Sequence, residues 1–513
     1  MADGKILIEK LIRYSEKFLH LNNLDEEYIR NLLLKEFNIE TPYNGDADFS
    51  EIEKMAVPDE LVSEIIGYAK GNSVCAEGEE ELFAAHIFGL LSPLPSEINA
   101  EFFRIKEESG ISSACKYLYD ISVMNWYVRK TDIDKNLKWE FKDGDNVLEI
   151  TINLSKPEKD NKDIAKLLSL KNTGESYPAC ALCKENEGFK GNLKKPPRSN
   201  LRTVTVNLGG EEWFVQYSPY AYYTEHCIAI NRKHSNMNVG ANTCEKLFDF
   251  TDIFPNYFIG SNADLPIVGG SILNHEHFQG GGHILPMRKA PIKYGVSHKK
   301  YPLVSGGVLD WYNSALRFTS KSRESLSSLG AEFISFWKSY TDEEVNIFAE
   351  KDGKPHNTLS PIASKNGDEY TLELILRNNI TTKEYPDGLF HAHPEYFNIK
   401  KEGIGLIEAM GLFILPGRLK RQTSEIEKIL TGERKYCGSI KGDDELAVHS
   451  SMIKELTEKF GTKLTAEEAH GKVVDYINGT CKRILECTAV FKKDEKGERA
   501  FKKCLGQFGF EIK

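Results

Sequence analysis

Two histidines one residue apart, in a segment too rich in glycine to be helical, constrain this chain more than any other feature. The segment runs from Gly269 to His283, GGSILNHEHFQGGGH, and carries five glycines. Each glycine costs a helix about 1 kcal/mol relative to alanine, and a helix of 3.6 residues per turn would set His275 and His277 about 200° apart. An extended strand instead puts residues i and i+2 on one face. His275 and His277 then stand side by side, Gln279 continues their face and Glu276 points away. Glycines 280 to 282 let backbone amides approach a ligand closely, which is useful beside a phosphate.

The spacing excludes one common use of paired histidines. A zinc protease needs His-Glu-x-x-His on a helix, whereas here the second histidine follows the glutamate directly. A lone strand histidine is most simply a satisfied polar group. Two on one face, followed by a glutamine and three glycines, point to chemistry. Neutral imidazole is a nucleophile at neutral pH and can divide one hard displacement into two. Attack on a nucleotide phosphorus gives a phosphoramidate with a labile P–N bond. An amide such as that of Gln279 can donate to charge developing on a phosphoryl oxygen, and losing one such donor typically costs about 3–4 kcal/mol. The segment suits nucleotidyl transfer.

The remaining composition narrows the setting. A chain of 513 residues, 40% hydrophobic and 28% charged, has enough apolar material for a substantial core. A net charge of −10 and the lack of a long basic run argue against a nucleic-acid partner. The N-terminus, MADGKILIEKLIRYSEKFLHL, is charged and periodic, unlike a secretory signal. No segment approaches the roughly 18 uninterrupted apolar residues of a membrane span. Ten cysteines are sparse for this length, and the Cys180–Cys183 pair stands out. That usage fits a reducing cytoplasm better than a disulfide scaffold. By itself Cys-x-x-Cys is open to metal binding, redox activity or coincidence.

Patterning divides the chain into four regions. Residues 1–125 read as a helical N-terminal region, with ILIEKLIRYSEKFLHL and LVSEIIGYA at helical spacing and acids opening LDEEYIRNLLLKEF. Residues 126–290 read as an antiparallel sheet: NLKWEFKDGDNVLEITINL and TVTVNLGGEEWFVQY alternate around Asp143-Gly144 and Gly209-Gly210, EHCIAI adds a short run, and DIAKLLSL is an inserted helix. Residues 291–420 return to strands in YTLELILRNN, DGLFHAHPEYFNI and GIGLIEAMGLFIL. Residues 421–513 are helical again, with TSEIEKIL, ELAVHSSMIKELTEKF and AHGKVVDYINGTCKRIL. Strand blocks and helical blocks without βαβ spacing predict an α+β architecture. The two strand-rich blocks could be halves of a pseudo-repeat, although no strict period is visible.

The HEHFQ strand resembles the active-site strand of hexose-1-phosphate uridylyltransferases, the His-x-His-x-Gln branch of the histidine-triad superfamily. ACALC, INRKHS and LFHAHPEYFNIKKEGIGLIEAMG are similar, in order and texture, to that family's cysteine pair, its metal-ligand histidine strand and its C-terminal His-x-His segment. The resemblance spans residues 175 to 415, and the helical N-terminus is similar to the second, bacterial class of these enzymes. It implies an α+β fold of two duplicated histidine-triad-like halves with antiparallel sheets and flanking helices. It also implies a double displacement between UDP-glucose and galactose 1-phosphate, giving UDP-galactose and glucose 1-phosphate. His277 would be the nucleophile and Gln279 would steady the α-phosphoryl oxygens. Glu276 and Phe278 stand where the family's motif usually has proline and glycine.

The same resemblance implies a zinc site at Cys180, Cys183, His234 and His275, with His226 as a rival third ligand. A Cys2His2 set suits tetrahedral zinc. His391 and His393 share a face by period two; with His356 they match a second, structural metal of some members. Asn262, Gly270 and Ser271 lie where the family binds the nucleotide, and Tyr217 and Tyr220 where it stacks uracil, with core packing the alternative. Glu408 matches the part that meets hexose hydroxyls. Arg377, a guanidinium ending an apolar strand, suits a substrate phosphate or a solvated strand end. The family further implies a homodimer. Two rival readings are a superfamily transferase or phosphorylase acting on dinucleoside polyphosphates, and a nucleotide-sugar-binding protein without catalysis.

Overall fold

The computed structural model describes residues 3–155, 177–192, 194–270 and 272–513. The DIAKLLSL helix and Ser271 lie outside the described residues. The chain forms two compact units that alternate along the sequence. The first comprises Met1–Lys135, Pro157–Ser235 and His275–Gly282; the second comprises Asn136–Lys156, Asn236–Asn274 and His283–Lys513.

The first unit joins a helical layer to a small antiparallel sheet. Its helices are α1 (Gly4–Phe18), α2 (Glu26–Glu36), α3 (Asp59–Asn72), α4 (Glu80–Leu91), α5 (Pro95–Ser109), α6 (Ile111–Met124) and α7 (Lys130–Asp134). Helix α1 starts where the Asp3 carboxylate accepts from the Lys5 amide, an N-cap that serves one unpaired donor of the first turn. Its buried stripe, Leu7, Ile8, Leu11 and Ile12, follows the helical period read from the sequence. The Tyr14 hydroxyl donates to the Met124 carbonyl and the Ser15 hydroxyl to that of Leu91, tying α1 to the ends of α6 and α4.

The sheet of this unit has four strands: β1 (Val204–Leu208), β2 (Glu211–Tyr217), β3 (Cys227–Asn231) and β4 (His277–Gly281), in the order β4-β3-β2-β1. Gly209 and Gly210, both at positive φ, make the two-residue turn between β1 and β2. Helix α5 docks on the β1 edge through Asn99, whose Nδ2 donates to the Thr203 carbonyl and whose Oδ1 accepts from the Thr205 amide. Arg202, just before β1, is buried and donates to the carbonyls of Gly89, Ser92, Pro93, Ser199 and Leu201. One guanidinium thus closes the C-terminal end of α4 on the sheet.

The second unit is built on a seven-stranded antiparallel sheet. In spatial order its strands are Phe510–Ile512, Ile292–His298, Ser305–Leu309, Ala315–Ser320, Glu369–Asn378, Asn357–Asn366 and Phe258–Ser261. Helices Thr243–Ile253 and Arg323–Ser339 pack on it, the latter anchored by Trp337, whose indole N–H donates to the Thr358 carbonyl at 2.7 Å. A smaller sheet pairs Leu137–Asp143 with Asn146–Asn153 antiparallel and adds Leu412–Pro416 parallel to the latter. Helices Arg418–Thr431, Ser450–Phe460, Ala466–Thr488 and Glu495–Phe508 complete the unit. The architecture is α+β.

Three local expectations are corrected. DGLFHAHPEYFNI is not a strand but a run of turns with a 3₁₀ turn at Pro394–Tyr396; Pro394 has no N–H for a ladder. GIGLIEAMGLFIL is not one strand. It opens with a short helix at Leu406–Ala409, whose N-terminus the Glu408 carboxylate closes on the Gly405 amide, and becomes a strand only at Leu412. Helix Ser450–Phe460 begins after a separate 3₁₀ turn, Ala447–His449.

Candidate active site

Strand β4 begins at His277, so His275 occupies the bend before it. The period-two reading holds within β4 for His277 and Gln279, which lie opposite Ile230 and Ile228 of β3. Phe278 turns to the other face, opposite Ala229, and stacks on Trp213 with ring centroids 4.7 Å apart. A bulky residue beside His277 is accommodated because it fills the core there. The Glu276 carboxylate accepts from Asn231 Nδ2 at 2.8 Å.

His277 is 6% exposed. Its Nδ1 donates to the main-chain carbonyl of His275 at 2.8 Å. That bond commits the ring proton of neutral imidazole to Nδ1 and puts the nucleophilic lone pair on Nε2. Burial lowers the pKa, favouring the neutral ring a nucleophile needs.

Cys180, Cys183, His234 and His275 come together as one cluster, their ligand atoms all within 4.8 Å of one another. Sγ of Cys180 lies 3.5 Å from Sγ of Cys183 and 3.2 Å from His275 Nδ1. Sγ of Cys183 lies 3.1 Å from His234 Nδ1 and 3.8 Å from His275 Nδ1. Zn–S of about 2.3 Å and Zn–N of about 2.0 Å in a tetrahedron require edges of about 3.3–3.8 Å. The four separations above lie near these edges, and the remaining pairs, within 4.8 Å, need only a small closure to fit such an ion. His275 Nε2 donates to the Asn231 carbonyl at 2.8 Å, which leaves Nδ1 as the ligand atom. The amides of Cys180 and Leu182 donate to the sulfurs, and Asn186 Nδ2 braces the loop on the carbonyls of Cys180 and Cys183.

The electrostatics agree with this geometry. Burial raises the Cys180 thiol, but hydrogen bonds from His275 and the Leu182 amide outweigh it and hold the group below its ordinary value. Burial pushes Cys183 up to about 11. Burial lowers His275, but its hydrogen bonds to Cys180 and the Asn231 carbonyl together hold it above its ordinary value. The protein groups thus favour the charged form at Cys180 and disfavour it at Cys183, whereas a divalent cation would draw both thiols to the charged form.

His226 is not at this cluster. Its Nε2 meets Gln279 Oε1 at 3.2 Å, and its ring stacks with Tyr222 and Tyr223. Burial lowers its pKa to about 4, so the ring is neutral. Tyr217 is buried with its hydroxyl donating to the Cys115 carbonyl, a core position that does not offer a face to a base. Tyr220 is half-buried in the loop after β2. His283 belongs to the second unit, where Nε2 meets Glu149 Oε2 at 2.7 Å.

In the second unit, Arg377, His391, Asn262 and Glu408 gather around the turn Ile404–Leu406. Arg377 Nη2 donates to the Ile404 carbonyl, and the Ile404 amide donates to His391 Nε2. The Leu406 amide donates to Asn262 Oδ1, and Glu408 binds Lys400 at 3.0 Å. Arg377 is 1% exposed, yet its Nε and Nη1 have no protein partner; the same holds for His391 Nδ1 and Asn262 Nδ2. With the His391 lone pair taken by the amide, its remaining nitrogen carries the proton, so all these unpaired atoms are donors. Burial pushes Arg377 to about 10 and His391 to about 4. Gly270 stands against Asn262, where a Cβ would lie 2.9 Å from Nδ2.

The expected second metal site is not formed among the described residues. His356 Nδ1 meets Asn379 Oδ1 at 2.7 Å, His391 serves the Ile404 amide, and His393 stacks on Tyr385 and meets the Leu389 carbonyl. These three do not gather about one point. The strand that would have aligned His391 with His393 is absent. Sequence reading missed Asn231, which orients His275 through its carbonyl and Glu276 through its side chain. Its signal was a polar residue ending the apolar run CIAI directly before RKHS.

Residues 69–236 match the family model for "Galactose-1-phosphate uridyl transferase, N-terminal domain", and residues 250–437 match the model for its C-terminal domain. The chain is 45% identical to a galactose-1-phosphate uridylyltransferase of Caldanaerobacter subterraneus subsp. tengcongensis, covering 99% of both chains. It is 40% identical to the enzyme of that name from Fusobacterium nucleatum subsp. nucleatum, covering 98% of both.

Proposed function

The chain belongs to the galactose-1-phosphate uridyl transferase family; we propose that it exchanges the uridylyl group between UDP-glucose and galactose 1-phosphate in two displacements through a covalent intermediate on His277. In the first, the Nε2 lone pair attacks the α-phosphorus, a P–N bond forms, and the P–O bond to the β-phosphate breaks. Glucose 1-phosphate leaves with that electron pair. In the second, a phosphate oxygen of galactose 1-phosphate attacks the same phosphorus and the P–N electrons return to Nε2, giving UDP-galactose.

The observation that carries this reading is the 2.8 Å bond from His277 Nδ1 to the His275 carbonyl. It selects the tautomer with Nε2 as nucleophile, and the carbonyl dipole offsets the positive charge on the ring once Nε2 is bonded to phosphorus. Gln279 shares the face of His277, so its amide N–H₂ can donate to the equatorial phosphoryl oxygens.

Zinc is the ion that suits Cys180, Cys183, His234 and His275. When bound it supplies a fixed tetrahedral link between the Cys-x-x-Cys loop and the start of β4. The unpaired donors of Arg377, His391 and Asn262 suit phosphoryl or hydroxyl oxygens of the hexose 1-phosphate, with Gly270 giving close approach and Glu408 accepting from sugar hydroxyls. Tyr220 is the aromatic group suited to the uracil. Ser271 remains a nucleotide contact by resemblance. No helix of the described residues is long and apolar enough to cross a membrane; we place the working enzyme in the cytoplasm as a homodimer.

Isotope exchange tests the two-step course. Labelled glucose 1-phosphate should enter UDP-glucose with no galactose 1-phosphate present. Exchange that requires the second sugar would refute a covalent intermediate.

A further inference from the structure

We infer that His226 is a positioning residue that fixes the amide of Gln279 in the orientation needed for phosphoryl transfer. The inference rests on the reading of Gln279 as a donor to the transferred phosphoryl group.

A terminal amide is ambiguous by nature. Rotated by 180°, Gln279 would present its carbonyl oxygen, rather than its N–H₂, to a negatively charged phosphoryl group. The difference is between attraction and repulsion in the transition state. Whichever side chain holds one end of the amide therefore decides what the other end does.

His226 holds that end. Its Nε2 is 3.2 Å from Gln279 Oε1, and among the described residues Gln279 Nε2 has no protein hydrogen-bond partner. The buried ring has one proton when neutral, and His226 Nδ1 has no protein partner. Two arrangements are possible. A proton on Nδ1 would bury an unpaired N–H and turn the Gln279 amino group toward His226. A proton on Nε2 leaves only an unpaired lone pair, and Nε2–H donates to Oε1. Burying an unpaired donor is the costlier choice, since unpaired N–H groups are rarer in interiors than under-used acceptors. The second arrangement prevails, and it leaves the N–H₂ of Gln279 for the ligand.

The surroundings make the orientation firm. His226 immediately precedes β3, and residues 226 and 228 share the face that Gln279 occupies across the β3–β4 ladder. The loop before it is closed by the Ser218 amide donating to the His226 carbonyl and the His226 amide to the Tyr223 carbonyl. The Tyr223 hydroxyl donates to the Gly280 carbonyl, next to Gln279. Gly281 has no room for a side chain, because a Cβ would come 2.5 Å from the Glu225 carbonyl oxygen. Gly281 thus serves close backbone packing against the loop that seats His226.

The experiment is rapid-quench measurement of uridylyl-enzyme formation from UDP-glucose alone, with rate and half-saturating concentration read separately. His226→Phe keeps a ring for the tyrosine stack but has no donor. It should slow adduct formation by about 10-fold or more, with half-saturation within about 2-fold of wild type. His226→Gln places an N–H donor at similar reach and should recover to within about 3-fold of wild type. In a Gln279→Met background, His226→Phe should cost nothing further. If His226→Phe does not give folded protein, His226→Asn, whose shorter amide cannot reach Gln279, replaces it, with the same slowing expected against His226→Gln. Wild-type speed in the donor-less variant, or the same penalty with and without Gln279, overturns the inference. Failure of the wild-type protein to form any adduct would instead overturn the covalent mechanism.

Discussion

Nδ1 of His277 lies 2.8 Å from the main-chain carbonyl oxygen of His275, so the residue that offers its ring to the Cys2His2 cluster uses its backbone to hold the next imidazole. The Cys2His2 cluster and His277 are thereby one short mechanical unit. The Asn231 carbonyl holds the other side of the His275 ring. A shift of the cluster moves the acceptor that sets the tautomer of His277.

Cys180→Ser should therefore affect more than metal content. Elemental analysis should find about one zinc per wild-type chain and almost none in the variant. Loss of a structural metal should lower unfolding stability by at least about 3 kcal/mol in urea titration. Adduct formation from UDP-glucose should slow about 10- to 100-fold, because displacements near 1 Å at a reacting group have effects of that size. A metal-free variant with wild-type stability would show that the cluster has no structural role.

Gln279→Met keeps the length of the side chain and removes its donor. Adduct formation should fall about 10²- to 10³-fold, the usual cost of one donor to transition-state charge. Binding of UDP-glucose by calorimetry should stay within about 3-fold.

Arg377→Lys tests the hexose 1-phosphate contact in both half-reactions. A lysine cannot reproduce a buried fork that spends one arm on the Ile404 carbonyl and keeps other N–H groups for a ligand. The Michaelis constant for galactose 1-phosphate should rise by about 10-fold or more, and adduct formation from UDP-glucose should slow as well, because glucose 1-phosphate leaves from the place that galactose 1-phosphate enters. Steady-state and single-turnover assays on one preparation check this.

Acid should destabilise the fold through buried neutral histidines. His449 is fully buried, with Nε2 donating to Gln422 Oε1 at 3.0 Å and Nδ1 accepting from Asn398 at 3.4 Å. Burial, helped by Arg418, lowers its pKa to about 4 from an ordinary 6.5. The unfolded chain binds this proton first as pH falls, so the stability it carries is present above pH 6.5 and is lost down to pH 4. Between pH 7 and 5 the loss is about 2 kcal/mol. His449→Gln should be less stable at neutral pH but show a flatter dependence of its urea midpoint across that range.

The period-two pattern made the shared face of His277 and Gln279 legible, because a strand's alternation is a property of neighbouring residues. The Cys-x-x-Cys spacing and the family resemblance together named four residues whose candidate ligand atoms the fold brings within 4.8 Å of one another. What could not be read was set by long-range packing. His226 and Gln279 are 53 residues apart, and only the β3–β4 register makes them neighbours. The His391–His393 strand failed because Pro394 and the turn at Ile404 gave each ring a different partner. Tyr217 looked like a base-stacking residue until the Cys115 carbonyl on α6 claimed its hydroxyl. The glycines after Gln279 looked like a phosphate cradle, yet at Gly281 the need comes from Glu225.

The most direct test is intact and peptide mass spectrometry after mixing the enzyme with UDP-glucose alone. One uridylyl group per chain should appear, on the peptide containing His277, and both adduct and turnover should vanish in His277→Ala. A label on another side chain, or normal sugar exchange without that imidazole, would contradict the mechanism.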